Sequence, residues 1–166
     1  MMFTNESELK ANGFSGFIAV SELQKNKCRD VPNNKGIYLV IRMITSEPKF
    51  LKISTGGYFK GRNPSVSISR LRKKWVDTAK VLYIGKAGSM VGDANLKNRL
   101  HQYMNFGLGL VVGHWGGRFI WQLSDSNSLQ VCWKSTPNEN PRMVERNLIQ
   151  KFKNYYGKLP FANLRG

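Results

Sequence analysis

The sequence contains few acidic residues, and this shortage sets its overall charge. Of its 166 residues only 10 are Asp or Glu, against 26 Lys or Arg, so the formal net charge is +16 at neutral pH. A net charge of about 2 to 8 is enough to keep a small domain soluble. Solubility alone is therefore the weaker explanation of the excess, and we expect a polyanionic partner such as nucleic acid.

Cysteine and histidine are nearly absent, which leaves no sequence support for a structural zinc site. Cys28 and Cys132 are far apart and neither belongs to a CxxC pair, while the two histidines lack a His-x3-His spacing. We expect both cysteines to be small buried apolar residues.

Long apolar runs are missing as well. No run approaches the roughly 18 residues of a membrane-spanning helix, and residues 1–8 lack the basic and apolar regions of a secretory signal. These absences predict that the protein has no membrane partner. We expect it to be intracellular, in the cytoplasm, and associated with the nucleoid.

A phosphate-binding loop of the nucleotide-hydrolysing kind is also missing. The stretch Gly85-Lys86-Ala87-Gly88-Ser89 lacks the GxxxxGK[ST] spacing that lets backbone amides and a lysine surround the phosphates. An enzyme of that class is therefore disfavoured.

Apolar and aromatic residues, by contrast, are sufficient for one folded domain. The apolar fraction is 41%, with 9 Phe, 6 Tyr and 4 Trp, which excludes a disordered chain. We expect a single domain over residues 1–166. Within it, residues 1–31 form a peripheral segment packed on the sheet. Residues 44–80 form a basic insertion broken by glycine and proline, with residues 49–53 as a candidate edge strand.

Two strands that each carry glycine and tyrosine dominate the apolar pattern. Residues 36–41 and 81–87 are runs of apolar and β-branched residues typical of buried strands. Gly85 lets the backbone approach a ligand, and Lys86 places a cation at the strand's exit, unless the lysine is simply solvated. Residues 119–123 and 129–134 flank a five-residue loop and are predicted to form a hairpin that completes the sheet.

A basic helix is predicted within the insertion, over residues 67–79. Its apolar residues recur at helical spacing and turn inward, whereas its basic residues share the opposite face. Such a face is either merely solvated or in contact with phosphates. The basic residues are Arg70, Arg72, Lys73 and Lys74.

A second helix is predicted over residues 95–105, capped by Asp93 or Asn95. Arg99 and Tyr103 lie four positions apart and therefore share one of its faces. They are either members of a functional site or a surface cation lying on an aromatic ring.

The strongest helix signal begins at Asn140-Pro141, where a capping asparagine precedes a proline at the first helical position, and it ends at Gly157. Glu145 lies on a partly apolar face of this helix, so its carboxylate needs a partner. In a chain with 26 Lys or Arg, an ordinary ion pair is the simplest one.

Residues 111–118 combine aromatic, basic and glycine residues. His114 and Arg118, on either side of Trp115, are suited to contact a nucleic-acid backbone. A glycine-rich turn that packs a tryptophan explains the pattern equally well.

Five short motifs stand in order between residues 36 and 163. They are Gly36-Ile37-Tyr38, Tyr83-Ile84-Gly85-Lys86, Arg99 with Tyr103, Glu145-Arg146-Asn147-Leu148-Ile149, and Pro160-x-x-Asn163. In this order they resemble the GIY-YIG nuclease family. The resemblance implies an α/β (α+β) fold, with a small mixed or antiparallel three-stranded central sheet flanked by helices, and with residues 44–80 inserted between its first two strands.

The resemblance also implies an activity, the hydrolysis of phosphodiester bonds in DNA with one divalent cation, Mg²⁺ or Mn²⁺. Glu145 would be the metal ligand, since its hard oxygen donors suit magnesium. Tyr38 and Tyr83 would flank the scissile phosphate, and Tyr38 would take a proton from the attacking water. A tyrosine, with its usual pKa of about 10, needs nearby positive charge for that role, which Lys86 and the metal would supply.

Three further residues receive supporting roles from the same resemblance. Arg99 would neutralise the transition state, for which a guanidinium fork is well matched. Tyr103 would hold the phosphate or the water on the metal. Asn163 would hydrogen-bond near the site and fix either Glu145 or the backbone.

Several alternatives stay open. A non-catalytic nucleic-acid-binding domain of the same fold would need the positive charge, but not two tyrosines, an arginine and a glutamate at these places. Within nucleases, the sequence does not choose between DNA repair and restriction, between single- and double-stranded substrates, or between DNA and RNA. It also does not choose between a monomer and a homodimer.

Overall fold

The fold was analysed in a computed structural model that describes residues 3, 5–90, 92 and 94–165. These residues form an α+β structure of four strands and five α-helices. The strands are β1 (Ser15–Ala19), β2 (Gly36–Ile41), β3 (Val81–Ala87) and β4 (Gln130–Ser135). The helices are α1 (Glu6–Ala11), α2 (Val20–Lys25), α3 (Ile68–Lys74), α4 (Leu96–Gly107) and α5 (Pro141–Tyr156).

The sheet has four strands rather than the three expected, in the order β1-β4-β2-β3, and every pair is antiparallel. The additional strand comes from the N-terminal segment, in which Ser15 pairs opposite Trp133 of β4. Residues 1–31 are therefore not wholly peripheral, because part of the segment forms an edge of the sheet. The α+β class itself is confirmed.

The predicted hairpin is wrong. Its first half, residues Arg118–Gln122, forms a 3₁₀-helix, and its second half is the strand β4. The 3₁₀-helix begins after Gly117, which has a left-handed φ of 70°. Phe119, Ile120 and Trp121 are fully buried. A short run that is apolar on every side suits a buried helical turn as well as a buried strand, so its sequence pattern did not separate the two.

The helix starts follow their capping residues. Ser67, Asn95 and Asn140 each accept a backbone hydrogen bond from the first turn of α3, α4 and α5. The helix α5 ends at Gly157, which has a left-handed φ of 71°. Asp93, the other expected cap of α4, lies outside the described residues.

The buried side chain of Gln122 connects two parts of the insertion to the domain, beside backbone hydrogen bonds such as that from the Thr55 amide to the Trp121 carbonyl (3.0 Å). Gln122 donates hydrogen bonds to the carbonyls of Leu51 (3.0 Å) and Val66 (2.9 Å), and its Oε1 accepts one from the Val66 amide (2.8 Å). Residues 49–53 do not form the expected strand, and Phe50 makes a single isolated bridge to Leu123. The helix α3 ends at Lys74, earlier than predicted, because Trp75 turns into an extended conformation.

The core is divided between the two faces of the sheet. On one face, Tyr38 and Val40 of β2 pack with residues of α4 and the 3₁₀-helix. On the other, Ile37 and Leu39 pack with residues of α5 and with Phe3. The helices α4 and α5 contact the edge strand β3 from opposite faces of the sheet.

The two cysteines are buried and free, as expected. Within the described part of the chain, none of the helices has both the length and the apolar character needed to cross a membrane.

Candidate active site

Three tyrosines from three different elements form one buried cluster. Tyr38 of β2, Tyr83 of β3 and Tyr103 of α4 lie with their ring centroids 5.8 to 6.1 Å apart. Tyr38 and Tyr103 have no exposed surface, and Tyr83 is 7% exposed. The cluster thus brings together the tyrosines of both strand motifs and of the helix motif.

A glycine opposite Tyr38 makes room for this cluster. Tyr38 pairs with Gly85 across β2 and β3, and a Cβ atom at residue 85 would lie 2.4 Å from the tyrosine ring. No side chain fits at that distance, so the ring of Tyr38 lies directly over the backbone of β3.

Two more glycines make room for the other tyrosines. A Cβ atom at Gly116 would lie 2.5 Å from the Tyr83 hydroxyl, and one at Gly117 would lie 2.7 Å from the Tyr103 hydroxyl. The Tyr103 hydroxyl donates a hydrogen bond to the Gly117 carbonyl (2.8 Å). This hydrogen bond fixes the loop that covers the cluster, while the expected role of Tyr103 in holding the phosphate or the water on the metal stays a prediction.

Burial raises the pKa of each tyrosine in the cluster. It raises the pKa of Tyr38 to about 12, although the positive charge of Arg99 acts in the opposite direction. It raises the pKa values of Tyr83 and Tyr103 well above their usual value. Arg99, rather than the expected Lys86, is the cation that acts on Tyr38, and its effect is smaller than that of burial, so the three phenols are protonated at neutral pH.

The Tyr38 hydroxyl is buried and makes no hydrogen bond of good geometry to a described residue, although Tyr83 and Arg99 lie near enough to influence its pKa. An unpaired hydroxyl in the interior costs about 1 to 3 kcal/mol. A natural protein keeps such a group where a water or a ligand completes it or where it has a functional use.

Glu145 projects from α5 toward the same place. Its side chain is partly buried, and burial raises its pKa, although Lys86, Arg99 and Arg142 act in the opposite direction. The carboxylate makes no hydrogen bond or salt bridge to any residue that the structure describes. The simple ion pair considered from the sequence is therefore not formed, even though three cations lie near.

Two clefts meet at Tyr83 and Glu145. We call the larger, of about 770 Å³, the arginine cleft, and the smaller, of about 390 Å³, the amide cleft. Both clefts are lined by Tyr83 and Glu145, so these two side chains stand at their junction. The arginine cleft is also lined by Arg70, Arg118, Arg142, Arg146 and Arg165, and the amide cleft by Lys86, Arg99, Asn98 and Gln102.

Arg99 is placed to move toward a ligand at this junction. Its guanidinium makes only long contacts, 3.4 Å to Gln102 Oε1 and 3.5 Å to the Gly113 carbonyl. Contacts of this length are weak, so exchanging them for a phosphate costs little.

Asn163 fixes the backbone beside the site. Its Oδ1 accepts a hydrogen bond from the Ile84 amide (2.9 Å), and its Nδ2 donates one to the Ile84 carbonyl (2.8 Å). The preceding amide, of Ala162, donates to the Leu82 carbonyl (2.9 Å). The C-terminal segment therefore covers the free edge of β3 and closes one wall of the arginine cleft.

Of the residues proposed from the sequence to bind nucleic acid, some line the clefts and one is buried. His114 is fully buried and stacks on Tyr103 with 4.5 Å between ring centroids, so it is not on the surface that a nucleic acid contacts. Burial lowers its pKa to about 3, which leaves a neutral ring that packs inside the loop. Arg118 and Arg70, by contrast, line the arginine cleft.

The other basic residues of α3 lie outside the junction. Lys73 and Lys74 line a separate cleft together with Arg70. Arg72 is exposed and lines none of the clefts described here.

The sequence reasoning missed three of the arginines that line the cleft. Arg142 and Arg146 lie on α5, three positions before and one after Glu145, and Arg165 follows Asn163. The helical spacing of Arg142 relative to Glu145 was a usable signal, because residues three apart share a helix face. Nothing in the local sequence distinguished Arg165 from an ordinary terminal cation.

A divalent cation would find one carboxylate at this junction. In the described part of the chain no three His, Cys, Asp or Glu side chains lie close enough to hold a metal, and Glu145 is the acidic residue that lines the two clefts. Mg²⁺ keeps several waters and is commonly held by one or two carboxylates together with substrate phosphates. A partly buried carboxylate that lacks an ion pair fits such an ion.

Comparison with known proteins identifies no family for the chain. No protein-family model, no curated protein and no solved structure matches it. The interpretation of the site therefore depends on the geometry and the charges of its own residues.

Proposed function

We propose that the protein is a metal-dependent endonuclease that hydrolyses phosphodiester bonds in DNA, of the type found in the GIY-YIG family. One observation carries this proposal. Tyr38, Tyr83, Arg99 and Glu145 come from four separate elements and converge beside two clefts lined by cations. A binding module would need the cations, but not an unpaired carboxylate held among them at a cost in desolvation.

Glu145 is the residue that would hold a Mg²⁺ or Mn²⁺ ion. A bound ion would supply Lewis-acid stabilisation of the phosphate and would lower the pKa of a coordinated water. The negative charge of Glu145, free of a salt bridge, is available for this role.

Arg99 and Lys86 act on the phosphate from the amide cleft. Both act to lower the pKa of Glu145, and all three residues line the amide cleft. The loosely held guanidinium of Arg99 donates to the phosphate oxygens, where negative charge grows in the transition state. Lys86 adds a second, compact positive charge beside it.

The tyrosines are protonated in the free protein and therefore act as hydrogen-bond donors. Tyr83 lines both clefts, so its phenol is placed to orient the scissile phosphate or the attacking water. A general-base role for Tyr38 requires its pKa to fall from about 12 toward neutrality. Arg99 acts in that direction, but burial is the larger influence in the free protein.

A panel of DNA substrates tests this proposal. Purified protein is incubated with supercoiled plasmid, linear duplex and single-stranded DNA, each with magnesium and with EDTA. We expect cleavage with magnesium only. Discrete products would indicate site-specific cutting, and smeared products would indicate cutting directed by DNA structure.

Binding without cleavage on every substrate would contradict the nuclease and favour the non-catalytic binding domain. As part of the same proposal, we place the protein in the cytoplasm with the DNA of the nucleoid. Its role in repair or restriction depends on which of the product patterns is found.

A further inference from the structure

A third basic cleft continues the arginine cleft away from the junction. It has a volume of about 480 Å³ and is lined by Arg70, Lys73, Lys74, Lys158 and Leu159. We call it the lysine cleft. Arg70 lines both it and the arginine cleft, so the two are neighbours. The three clefts therefore follow one another in the order amide, arginine, lysine. Tyr83 and Glu145 lie between the amide and arginine clefts, and Arg70 lies between the arginine and lysine clefts.

The cations of the arginine and lysine clefts lack acidic partners. Glu145 is the acidic residue among the described residues that line them. The described salt bridges all lie elsewhere, at Lys10–Glu6, Arg29–Asp30 and Arg42–Asp125. An array of cations without counter-charges, extending over two adjoining clefts, is what an extended polyanion requires.

Two of these arginines are held against the same aromatic ring. The guanidinium carbons of Arg70 and Arg118 lie 5.6 and 5.2 Å from the centroid of Phe119. Burial lowers the pKa of Arg118, and the positive charge of Arg70 lowers it further. Two like charges kept together in this way are relieved by an anion that contacts both, and a phosphate is such an anion.

The aromatic residues of these clefts give no platform on which a base can stack. Trp115 is covered by Phe59, stacked at 5.7 Å, and by the guanidinium of Arg118, at 4.4 Å from its ring. Tyr83 is 7% exposed. Proteins that bind single strands usually combine a positive groove with exposed aromatic rings. Cations without such rings favour the phosphate backbone of a duplex.

We propose that the protein binds duplex DNA asymmetrically, with the backbone following the arginine and lysine clefts on one side of the junction. The helix α3 and Lys158 then hold phosphates that lie away from the scissile bond, while the amide cleft contacts a shorter stretch on the other side. The asymmetry rests on the proposed function, because the two sides are defined relative to the cleaved bond. Duplex binding does not depend on the proposed function.

The binding is tested with fluorescently labelled duplex in EDTA, so that no cleavage is needed. The double variant Lys73→Ala/Lys74→Ala is compared with Lys25→Ala/Lys151→Ala, which removes the same charge from helix positions that line none of these clefts. Between about 50 and 200 mM salt, the slope of log K against log salt should become shallower by about 2 in the first variant. It should change much less in the control.

Two results would overturn duplex binding in the arginine and lysine clefts. One is an equal change of the salt slope in both double variants, because the loss of any two lysines would then have the same effect as the loss of Lys73 and Lys74. The other is tighter binding of the wild-type protein to a single strand of the same sequence than to the duplex.

The asymmetry is tested by cleavage of two duplexes, each with the cleavage position near a different end. Wild-type protein should cleave one of them at least roughly tenfold less efficiently, since the loss of two phosphate contacts already changes binding on this scale. Lys73→Ala/Lys74→Ala should reduce that difference. Equal cleavage of the two duplexes would overturn the asymmetry. Duplex binding as predicted but no cleavage by the wild-type protein would contradict the proposed function while supporting duplex binding in these clefts.

Discussion

At the scale of single residues, Gly85 has the clearest structural reason to be a glycine. It pairs with Tyr38 in the sheet, and the ring of Tyr38 occupies the space where a side chain at residue 85 would start. The glycine and the tyrosine therefore depend on each other. The tyrosine cluster can form only while β3 has no side chain at this position.

We predict that Gly85→Ala destabilises the protein by about 1 to 3 kcal/mol, the usual cost of overpacking a core. Cleavage activity should fall as well, because Tyr38 must move. Gly113→Ala is the matched control, since nothing lies within 4 Å of a Cβ atom there. Chemical denaturation measures both changes. A Gly85→Ala protein as stable as the control would contradict the close contact.

We predict that Glu145→Gln stabilises the protein at neutral pH, by an amount of order 1 kcal/mol. Burial raises the pKa of Glu145, so the charged carboxylate is disfavoured in the folded state. A raised folded-state pKa adds stability at acid pH, and that contribution is lost as the pH rises through the folded pKa. Replacing the carboxylate by a neutral amide removes this loss.

Thermal unfolding of Glu145→Gln and wild-type protein as a function of pH measures the effect. The difference should be largest at neutral pH and should shrink under acid conditions, where wild-type Glu145 is protonated. The exposed Glu139→Gln serves as control. A Glu145→Gln protein less stable than wild type at neutral pH would show that the carboxylate has a stabilising partner.

The roles of individual residues were only partly predictable from the sequence. The family resemblance assigned Tyr38, Tyr83 and Tyr103 to one site, and their rings lie together in the structure. It did not indicate that burial would outweigh nearby positive charge, since burial depends on the loop around Gly116 and Gly117. His114 shows the same limit, because a histidine among glycines and aromatics has the same sequence pattern whether it is exposed or buried.

At the scale of elements, the insertion is held by a buried side chain and by scattered backbone hydrogen bonds rather than by a regular strand. Gln122, in the 3₁₀-helix, satisfies three backbone groups of Leu51 and Val66. Through this attachment it fixes the segment that leads into α3, whose N-terminal cap is Ser67. The position of the basic helix therefore depends in part on one buried amide.

We predict that Gln122→Leu loosens residues 51–66 without unfolding the sheet. The leucine leaves two carbonyls and one amide without partners, and each unpaired buried group costs about 1 to 3 kcal/mol. Hydrogen exchange should become faster in residues 51–66 and stay slow in β2 and β4. Gln150→Leu, at an exposed position of α5, is the control. Unchanged exchange in residues 51–66 would contradict the attachment.

The starts of α3, α4 and α5 and the strands β2 and β3 were predicted from local sequence, whereas the pairing of strands was not. A helix start is encoded locally, and the caps Asn95 and Asn140 and the stop at Gly157 have those roles in the structure. Strand pairing depends on distant partners, so neither the joining of β1 to β4 nor the helical state of residues 118–122 could be inferred from neighbouring residues.

At the scale of the whole molecule, charge and fold act together. The excess of cations seen in the sequence is in part gathered into the arginine and lysine clefts, and the carboxylate of Glu145 lies at one end of them. The sheet places α4 and α5 on opposite faces, and Arg99 and Glu145 both line the amide cleft beside the edge strand β3. In the proposed nuclease, this arrangement would give one reaction centre at the end of an extended binding surface.

The central claim is that this centre cuts DNA and that Glu145 is essential to the cutting. The most direct measurement compares the duplex cleavage rate of Glu145→Gln with that of Glu139→Gln, in magnesium, at protein concentrations that saturate the DNA. We predict that Glu145→Gln loses cleavage by at least about a thousandfold, the size of effect expected from removing a metal ligand and its charge. It should still bind the duplex, while Glu139→Gln should cleave normally. Cleavage by Glu145→Gln at the rate of the control would contradict the account.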